Sequence, residues 1–183
     1  MDKAVFLDRD GTINVDRAYV YRAADFEFLP GAKEALSLLI KAGYRLVIVT
    51  NQSGVARGYF TEDDVRILHD WLRETLAAEG VDIEGFYYCP HHPEAQIEAY
   101  RVQCGCRKPG LDLYYRAASE LGLDIYRSFA AGNRASDLEI CRHSGCRGYL
   151  VENSEACVSL PVSVRRAANL LAAARDIVNT EMN

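Results

Sequence analysis

Short apolar runs that stop abruptly at polar clusters alternate along this chain with stretches whose apolar positions recur every three to four residues. Lys3 to Leu7 (KAVFL) is the first run, and it ends in Asp8-Arg9-Asp10-Gly11-Thr12. Pro30-Gly31 opens a helical pattern with Ala35, Leu36, Leu38, Leu39 and Ile40 apolar, closed by Gly43. Leu46-Val47-Ile48-Val49 is continuously apolar, as suits a strand buried on both faces, and it stops at Thr50-Asn51-Gln52-Ser53-Gly54. Thr61 reads as the N-cap of a helix to about Glu79, with Val65, Leu68, Leu72 and Leu76 on one face. Phe86-Tyr87-Tyr88 reads as a third strand, and Pro90 to Pro109, rich in Cys, His, Pro and Gly, as an ordered irregular loop. Leu111 to Leu121 reads as a helix, Ser128 to Ala131 as a strand, and Ala135 to Ser144 as another helix. Gly148 to Val151 is a further strand, and Val164 to Val178 an Ala- and Leu-rich amphipathic helix.

Alternation of strand and helix predicts an α/β fold with a doubly wound, mostly parallel sheet. In such sheets ligands bind beyond the carboxyl ends of the strands. Three polar clusters fall at those ends: Asp8 to Thr12, Thr50 to Ser53 and Gly132 to Asp137. Their convergence on one edge is a stronger signal than any one of them. The 183 residues suffice for one domain, 1–183, and the segment between Asp10 and Pro30 is too short for a cap domain.

Charge narrows the partners. The net charge is −5 with no basic stripe, which argues against nucleic acid or an anionic membrane, so an anionic substrate needs a local cluster of Arg and Lys. No apolar run reaches membrane-span length and no signal-peptide pattern opens the chain, so the expectation is a cytoplasmic protein. No obvious apolar interface stands out, and a monomer is expected.

Two carboxylates two residues apart after a buried strand, Asp8 and Asp10, can face one pocket if the backbone turns at Gly11. Such a pair suits Mg²⁺, which prefers hard oxygen ligands. One carboxylate can attack phosphorus while the other handles protons. A solvated turn is the bland alternative, since Asp and Gly are common in turns.

Phe6 to Thr12, Val49 to Gly54, Arg107-Lys108-Pro109 and Gly132 to Asp137 resemble, in order and spacing, the four motifs of the haloacid dehalogenase phosphatases. Asp8 to Asp16 (DRDGTINVD), Thr50 to Gly58 (TNQSGVARG), Tyr87 to Pro93 (YYCPHHP) and Cys104 to Pro109 (CGCRKP) are similar to the histidinol-phosphate and heptose-bisphosphate branch. The resemblance implies a magnesium-dependent phosphatase that removes the 7-phosphate of D-glycero-D-manno-heptose 1,7-bisphosphate, in the heptose metabolism of lipopolysaccharide. It implies Asp8 as nucleophile, Asp10 as general acid/base, Thr50 as a hydrogen-bond partner of the transferring phosphoryl and Lys108 as its counter-charge. Substrate contacts are expected from Asp16, Arg17, Ala18, Tyr19, Thr50, Asn51, Gln52, Ser53, Arg107, Lys108 and Arg134. The magnesium ligands would be the Asp8 side chain, the Asp10 carbonyl and Asn133, with Asp137 assisting directly or through water.

Cys89-x-His91 and Cys104-x-Cys106, within a loop over about 89–107, supply four ligands suited to tetrahedral Zn²⁺. A filled Cys₃His set leaves no open position, so the zinc would be structural and would aim Arg107 and Lys108. His92 is an alternative ligand, although His91 matches the resembling family's position. Of the other cysteines, Cys141 and Cys146 read as buried thiols and Cys157 has no assigned role; His69 and His143 read as ordinary helical residues.

Three positions depart from the family pattern. Asn133 stands where an Asp is usual, which removes one negative charge from the metal site. Arg134 replaces the usual Lys, and a His-Pro pair usually found after Lys108-Pro109 is missing. Two further readings therefore stand beside the heptose enzyme: a histidinol-phosphate phosphatase, and a non-catalytic phosphosugar binder disabled at Asn133. Ser53 to Gly58 favours the heptose reading, and the retained Asp8, Asp10, Thr50 and Lys108 argue against a binder.

Overall fold

A computed structural model describes residues 1–151 and 159–181. Cys157 lies outside the described residues. Among the described residues five α-helices and six strands follow in the order β1 (Ala4–Leu7), α1 (Ala32–Lys41), β2 (Arg45–Asn51), α2 (Glu62–Ala77), β3 (Ile83–Cys89), α3 (Asp112–Leu121), β4 (Phe129–Gly132), α4 (Ile140–Ser144), β5 (Arg147–Val151), β6 (Val164–Ala167) and α5 (Leu170–Glu181). The strands form one sheet in the order β3-β2-β1-β4-β5-β6, with every pairing parallel. Between β1 and α1 the only element is a 3₁₀ turn at Ala23–Asp25, so no second domain is inserted there.

The continuous apolar runs are buried on both faces because successive side chains point to opposite sides. Val5, Leu7, Leu46 and Ile48 pack with residues of α1, α2 and α5, including Leu36, Leu39, Leu68, Leu72 and Ala174. Ala4, Phe6, Val47 and Val49 face the other way, onto Leu113, Tyr114 and Ala117 of α3 and Ile140 of α4. Two layers of helices therefore clamp the central strands. Leu7 of β1 aligns with Ile48 of β2 and Ala131 of β4, so the loops after these three strands emerge side by side.

Thr61 caps α2 as expected. Its hydroxyl accepts from the Asp64 backbone N–H at 3.2 Å, and the Asp64 carboxylate accepts from the Thr61 N–H at 2.7 Å. Cys141 and Cys146 are buried thiols.

Two expectations are corrected. Val164 to Val178 is not one helix: Val164–Ala167 is a strand pairing with β5, and the helix begins at Leu170. An edge strand with Arg165 and Arg166 exposed has no alternating apolar signal to betray it. Ala135 to Ser144 divides into a 3₁₀ turn, Ala135–Leu138, and the short α4. Asp137 accounts for the break: its carboxylate accepts from the Arg134 N–H at 2.9 Å, and its carbonyl accepts from the buried Tyr114 hydroxyl at 2.8 Å.

Candidate active site

The three strand-end loops and the residues that follow the cysteine loop wall one cavity of about 310 Å³. Asp8, Asp10, Asp16, Ala18 and Tyr19 line it from the loop after β1, and Thr50, Asn51, Gln52 and Ser53 from the end of β2. Arg107 and Lys108 close a third side, and Arg134, Ser136 and Asp137 the fourth. Ser136 gave no signal of its own in the sequence. Two expected residues are not on the wall: Arg17 is exposed and paired with Glu27, and Asn133 lies beneath the loop after β1.

Lys108 is the electrostatic centre. Its Nζ lies 2.7 Å from Asp8 Oδ1, 2.7 Å from Asp137 Oδ1 and 2.7 Å from the Val49 carbonyl, with only 1% of the side chain exposed. Burial disfavours the ammonium, but Asp137 and Asp8 outweigh it and hold the pKa above the usual lysine value. Asp8 is pushed up as well, which for a carboxyl favours the neutral form. Burial raises it to about 7, with Asp137 adding and Lys108 opposing. The side chain of Asn51 fixes the backbone that carries Lys108, donating to the Lys108 carbonyl at 3.1 Å and accepting from its N–H at 3.0 Å.

Asp10 is held by three side chains. Arg9 Nη2 reaches its two oxygens at 3.1 and 2.9 Å, Asn14 donates to Oδ1 at 2.9 Å, and Gln52 donates to Oδ2 at 3.0 Å and to Thr50 Oγ1 at 3.0 Å. Gly11 makes the turn that brings the two aspartates to one pocket. Its φ is +82°, and a Cβ there would lie 2.1 Å from the Asn133 amide nitrogen. Ala18 and Tyr19 also take left-handed backbone, at φ 53° and 68°, a conformation unusual without glycine.

Four carboxylates (Asp8, Asp10, Asp16 and Asp137) and three cationic side chains (Arg107, Lys108 and Arg134) line the cavity. An anion meets a slightly negative wall unless a cation joins it. The residues fit a hard divalent ion: the Asp8 and Asp10 carboxylates line the cavity, and Gly11, next to Asp10, packs on Asn133, whose Oδ1 is buried without a hydrogen-bond partner. Both Asp137 oxygens are already engaged, by Lys108 and the Arg134 N–H.

The cysteine loop leaves β3 at Cys89 and returns to the site at Arg107. Its four donor atoms, Cys89 Sγ, His91 Nδ1, Cys104 Sγ and Cys106 Sγ, all lie within 4.8 Å of one another. Sulfur separations of 3.0 to 3.6 Å exclude disulfides and approach the roughly 3.8 Å that a tetrahedral site with Zn–S of about 2.3 Å requires. Burial opposes ionisation of Cys104, but hydrogen bonds from Cys106 and the Arg107 backbone carry its pKa down to about 7. His92 points elsewhere, 3.4 Å from Arg57. Arg107 Nη1 donates to the His91 carbonyl at 3.2 Å, tying the cluster to the cavity wall.

Sequence reading missed the partners behind Asp10. Arg9 is fully buried, and His69 of α2 bonds to it rather than serving as an ordinary helical residue. The only sequence signal was a charge between two aspartates, which burial alone distinguishes from a solvated turn.

A parallel, doubly wound core that brings a carboxylate pair, a threonine and a buried lysine to one strand edge has the architecture of the haloacid dehalogenase phosphatases. Proteins of that class are similar to this one throughout. The D-glycero-beta-D-manno-heptose-1,7-bisphosphate 7-phosphatase of Photorhabdus laumondii is 50% identical over 136 residues, covering 74% of this chain and 72% of its own. The protein of the same name from Escherichia coli K12 is 46% identical over 136 residues, 74% of this chain and 71% of that one. The crystal structure of D,D-heptose 1,7-bisphosphate phosphatase from B. bronchiseptica, complexed with magnesium and phosphate, matches with a TM-score of 0.85 and 32% identity over 97% of this chain and 99% of that one. That from Burkholderia thailandensis matches with a TM-score of 0.69 and 29% identity over 96% and 98%. No family model matches the chain. The chain belongs to the D-glycero-beta-D-manno-heptose-1,7-bisphosphate 7-phosphatase family of haloacid dehalogenase phosphatases.

Proposed function

We propose that the chain, acting as a single domain, hydrolyses the 7-phosphate of D-glycero-D-manno-heptose 1,7-bisphosphate through an aspartyl phosphate on Asp8. The observation that carries this reading is the Asp8–Lys108 contact of 2.7 Å inside a cavity that also holds Asp10 and Thr50. Asp8 attacks phosphorus along the open side of the cavity, and the P–O bond to the sugar breaks. Asp10 gives a proton to the departing sugar oxygen and later takes one from the water that cleaves the aspartyl phosphate. Thr50 Oγ1 and Lys108 Nζ hold the transferring oxygens, with charge placed before the reaction begins. Arg107, Arg134, Asp16, Ala18, Tyr19, Asn51, Gln52 and Ser53 surround the rest of the sugar phosphate, and Arg17, paired with Glu27, stands outside this wall.

Magnesium bound by Asp8, the Asp10 carbonyl and Asn133 would offset the negative wall and polarise the phosphoryl group. The amide of Asn133 supplies a neutral oxygen there. Asn133→Asp should tighten magnesium binding by about tenfold, given roughly 1–3 kcal/mol for a charged over a neutral contact. The test is phosphate release from the heptose bisphosphate and from histidinol phosphate, with magnesium titrated, for the parent and Asn133→Asp. Preferential release from the heptose bisphosphate supports the reading. Preferential release from histidinol phosphate points to the sister activity, and a silent parent beside an active Asn133→Asp would show a disabled phosphosugar binder.

Cys89, His91, Cys104 and Cys106 hold a structural zinc in this reading, within the loop 89–107. Metal analysis should find about one Zn²⁺ per chain. Cys104→Ala should release it, lower the thermal midpoint and raise KM, since Arg107 is anchored through His91. A zinc-free protein of unchanged midpoint and KM would refute the zinc assignment. The membrane plays no part in the proposal; no described helix is long and apolar enough to span one, and a cytoplasmic monomer is the simplest setting.

A further inference from the structure

The most deeply buried charge among the described residues is not one that touches substrate in the reading above. Arg9 has no exposed surface, and its guanidinium spends Nη2 on Asp10, the Val20 carbonyl at 2.7 Å and Gln52 Oε1 at 3.2 Å. Its other terminal nitrogen, Nη1, ends 3.1 Å from His69 Nε2. Arginine has donors and no acceptor, so the ring nitrogen facing it must accept. His69 is therefore a neutral imidazole with its proton on Nδ1. Its surroundings agree: burial, then the Arg9 charge, hold it well below the usual histidine range.

The ring itself is fixed by packing. Phe86 of β3 stacks on it at 4.8 Å and 25°, and Tyr88 meets it edge-on at 5.8 Å. A rigid neutral acceptor at this place has a property that a carboxylate would lack. It fixes the guanidinium without drawing its charge, which stays directed at Asp10. Asp10 in turn is oriented by Arg9, Asn14 and Gln52, which donate to both its oxygens.

We propose that His69 is a positioning residue for catalysis, acting through Arg9 to fix the orientation of the Asp10 carboxylate. The inference rests on Asp10 being the general acid/base proposed above. A misplacement of about 1 Å at a proton-transferring group can cost on the order of 100-fold in rate, while substrate affinity set elsewhere persists. His69→Phe keeps the stack on Phe86 and removes the acceptor, whereas His69→Gln keeps an acceptor oxygen.

The experiment uses the full chain with magnesium. It measures the ¹⁵N shifts of the His69 ring at pH 7, then kcat, KM and the thermal midpoint of the parent and both variants on the heptose bisphosphate. The expected results are an Nδ1–H tautomer and a kcat roughly 10- to 100-fold lower in His69→Phe with KM nearly unchanged. His69→Gln should recover most of that loss. An Nε2–H or charged ring overturns the proposal, as does His69→Phe with the parent's kcat, or His69→Gln losing as much as His69→Phe. Should His69→Phe not fold, the tautomer and the His69→Gln kcat decide. A parent without turnover would instead count against the phosphatase reading, and the tautomer would still report on the Arg9–His69 contact.

Discussion

Asp8→Asn is expected to abolish turnover, with a loss on the order of 10⁴-fold or more, as when other covalent nucleophiles are removed. The fold should survive, because Lys108 keeps its pair with Asp137 at 2.7 Å. Stability offers a second, independent readout. In the folded protein burial raises the Asp8 pKa from 3.8 to about 7, so between those values the folded state binds more protons than the unfolded chain. The stability that Asp8 contributes is therefore present in full below pH 3.8 and lost as pH rises through about 7. Magnesium-free parent protein should lose stability relative to Asp8→Asn across that window, and added magnesium should reduce the difference by favouring the carboxylate. Denaturant melts at pH 4 and pH 8, with and without magnesium, read this directly. Residual turnover in Asp8→Asn near the parent's would remove the nucleophile assignment.

Lys108→Met is the second large effect, and it strikes fold and chemistry together. The substitution leaves Asp8 and Asp137 facing each other inside the protein without their shared cation. Breaking a buried ion pair by removing one partner costs about 3–5 kcal/mol. Turnover should fall by about 10³-fold or more, since the developing phosphoryl charge loses its fixed counter-charge. The double variant Lys108→Met with Asp137→Asn separates the two losses. Part of the stability should return, as the repulsion between the two carboxylates is gone and only Asp8 lacks its cation, while turnover should stay low. A double variant no more stable than Lys108→Met would show that the lysine acts by packing rather than by charge. Chemical denaturation and phosphate release on all four proteins of the cycle decide between these outcomes.

What was legible in the chain follows a simple physical division. Runs such as Leu46 to Val49 are buried on both faces and end in polar loops, so strands and strand ends could be read directly. Parallel pairing then places those ends on one edge, which is why the separate clusters at Asp8, Thr50 and Asp137 could be assigned to one cavity. The edge strand β6 escaped because only half-exposed residues, Val164 and Ala167, flank its two arginines. The turn at Ala135–Leu138 escaped for another reason: a hydroxyl from α3, distant in sequence, captures the Asp137 carbonyl. Arg9 and His69 lie 60 residues apart, and neither side chain advertises the other as its buried hydrogen-bond partner. Contacts of that kind belong to tertiary structure alone.

The close approach of Gly11 to Asn133 has a consequence for how such a centre can be retuned. A methyl group on residue 11 would collide with the amide, so the space at residue 133 is fixed by its neighbour rather than by its own chemistry. Asn and Asp share one outline, and exchanging them alters formal charge at constant volume. With magnesium held there as proposed, the position would work as a dial on ion occupancy that leaves the surrounding packing untouched. Where free magnesium far exceeds both dissociation constants, the two settings are equally loaded, and only under scarcity does the choice separate them.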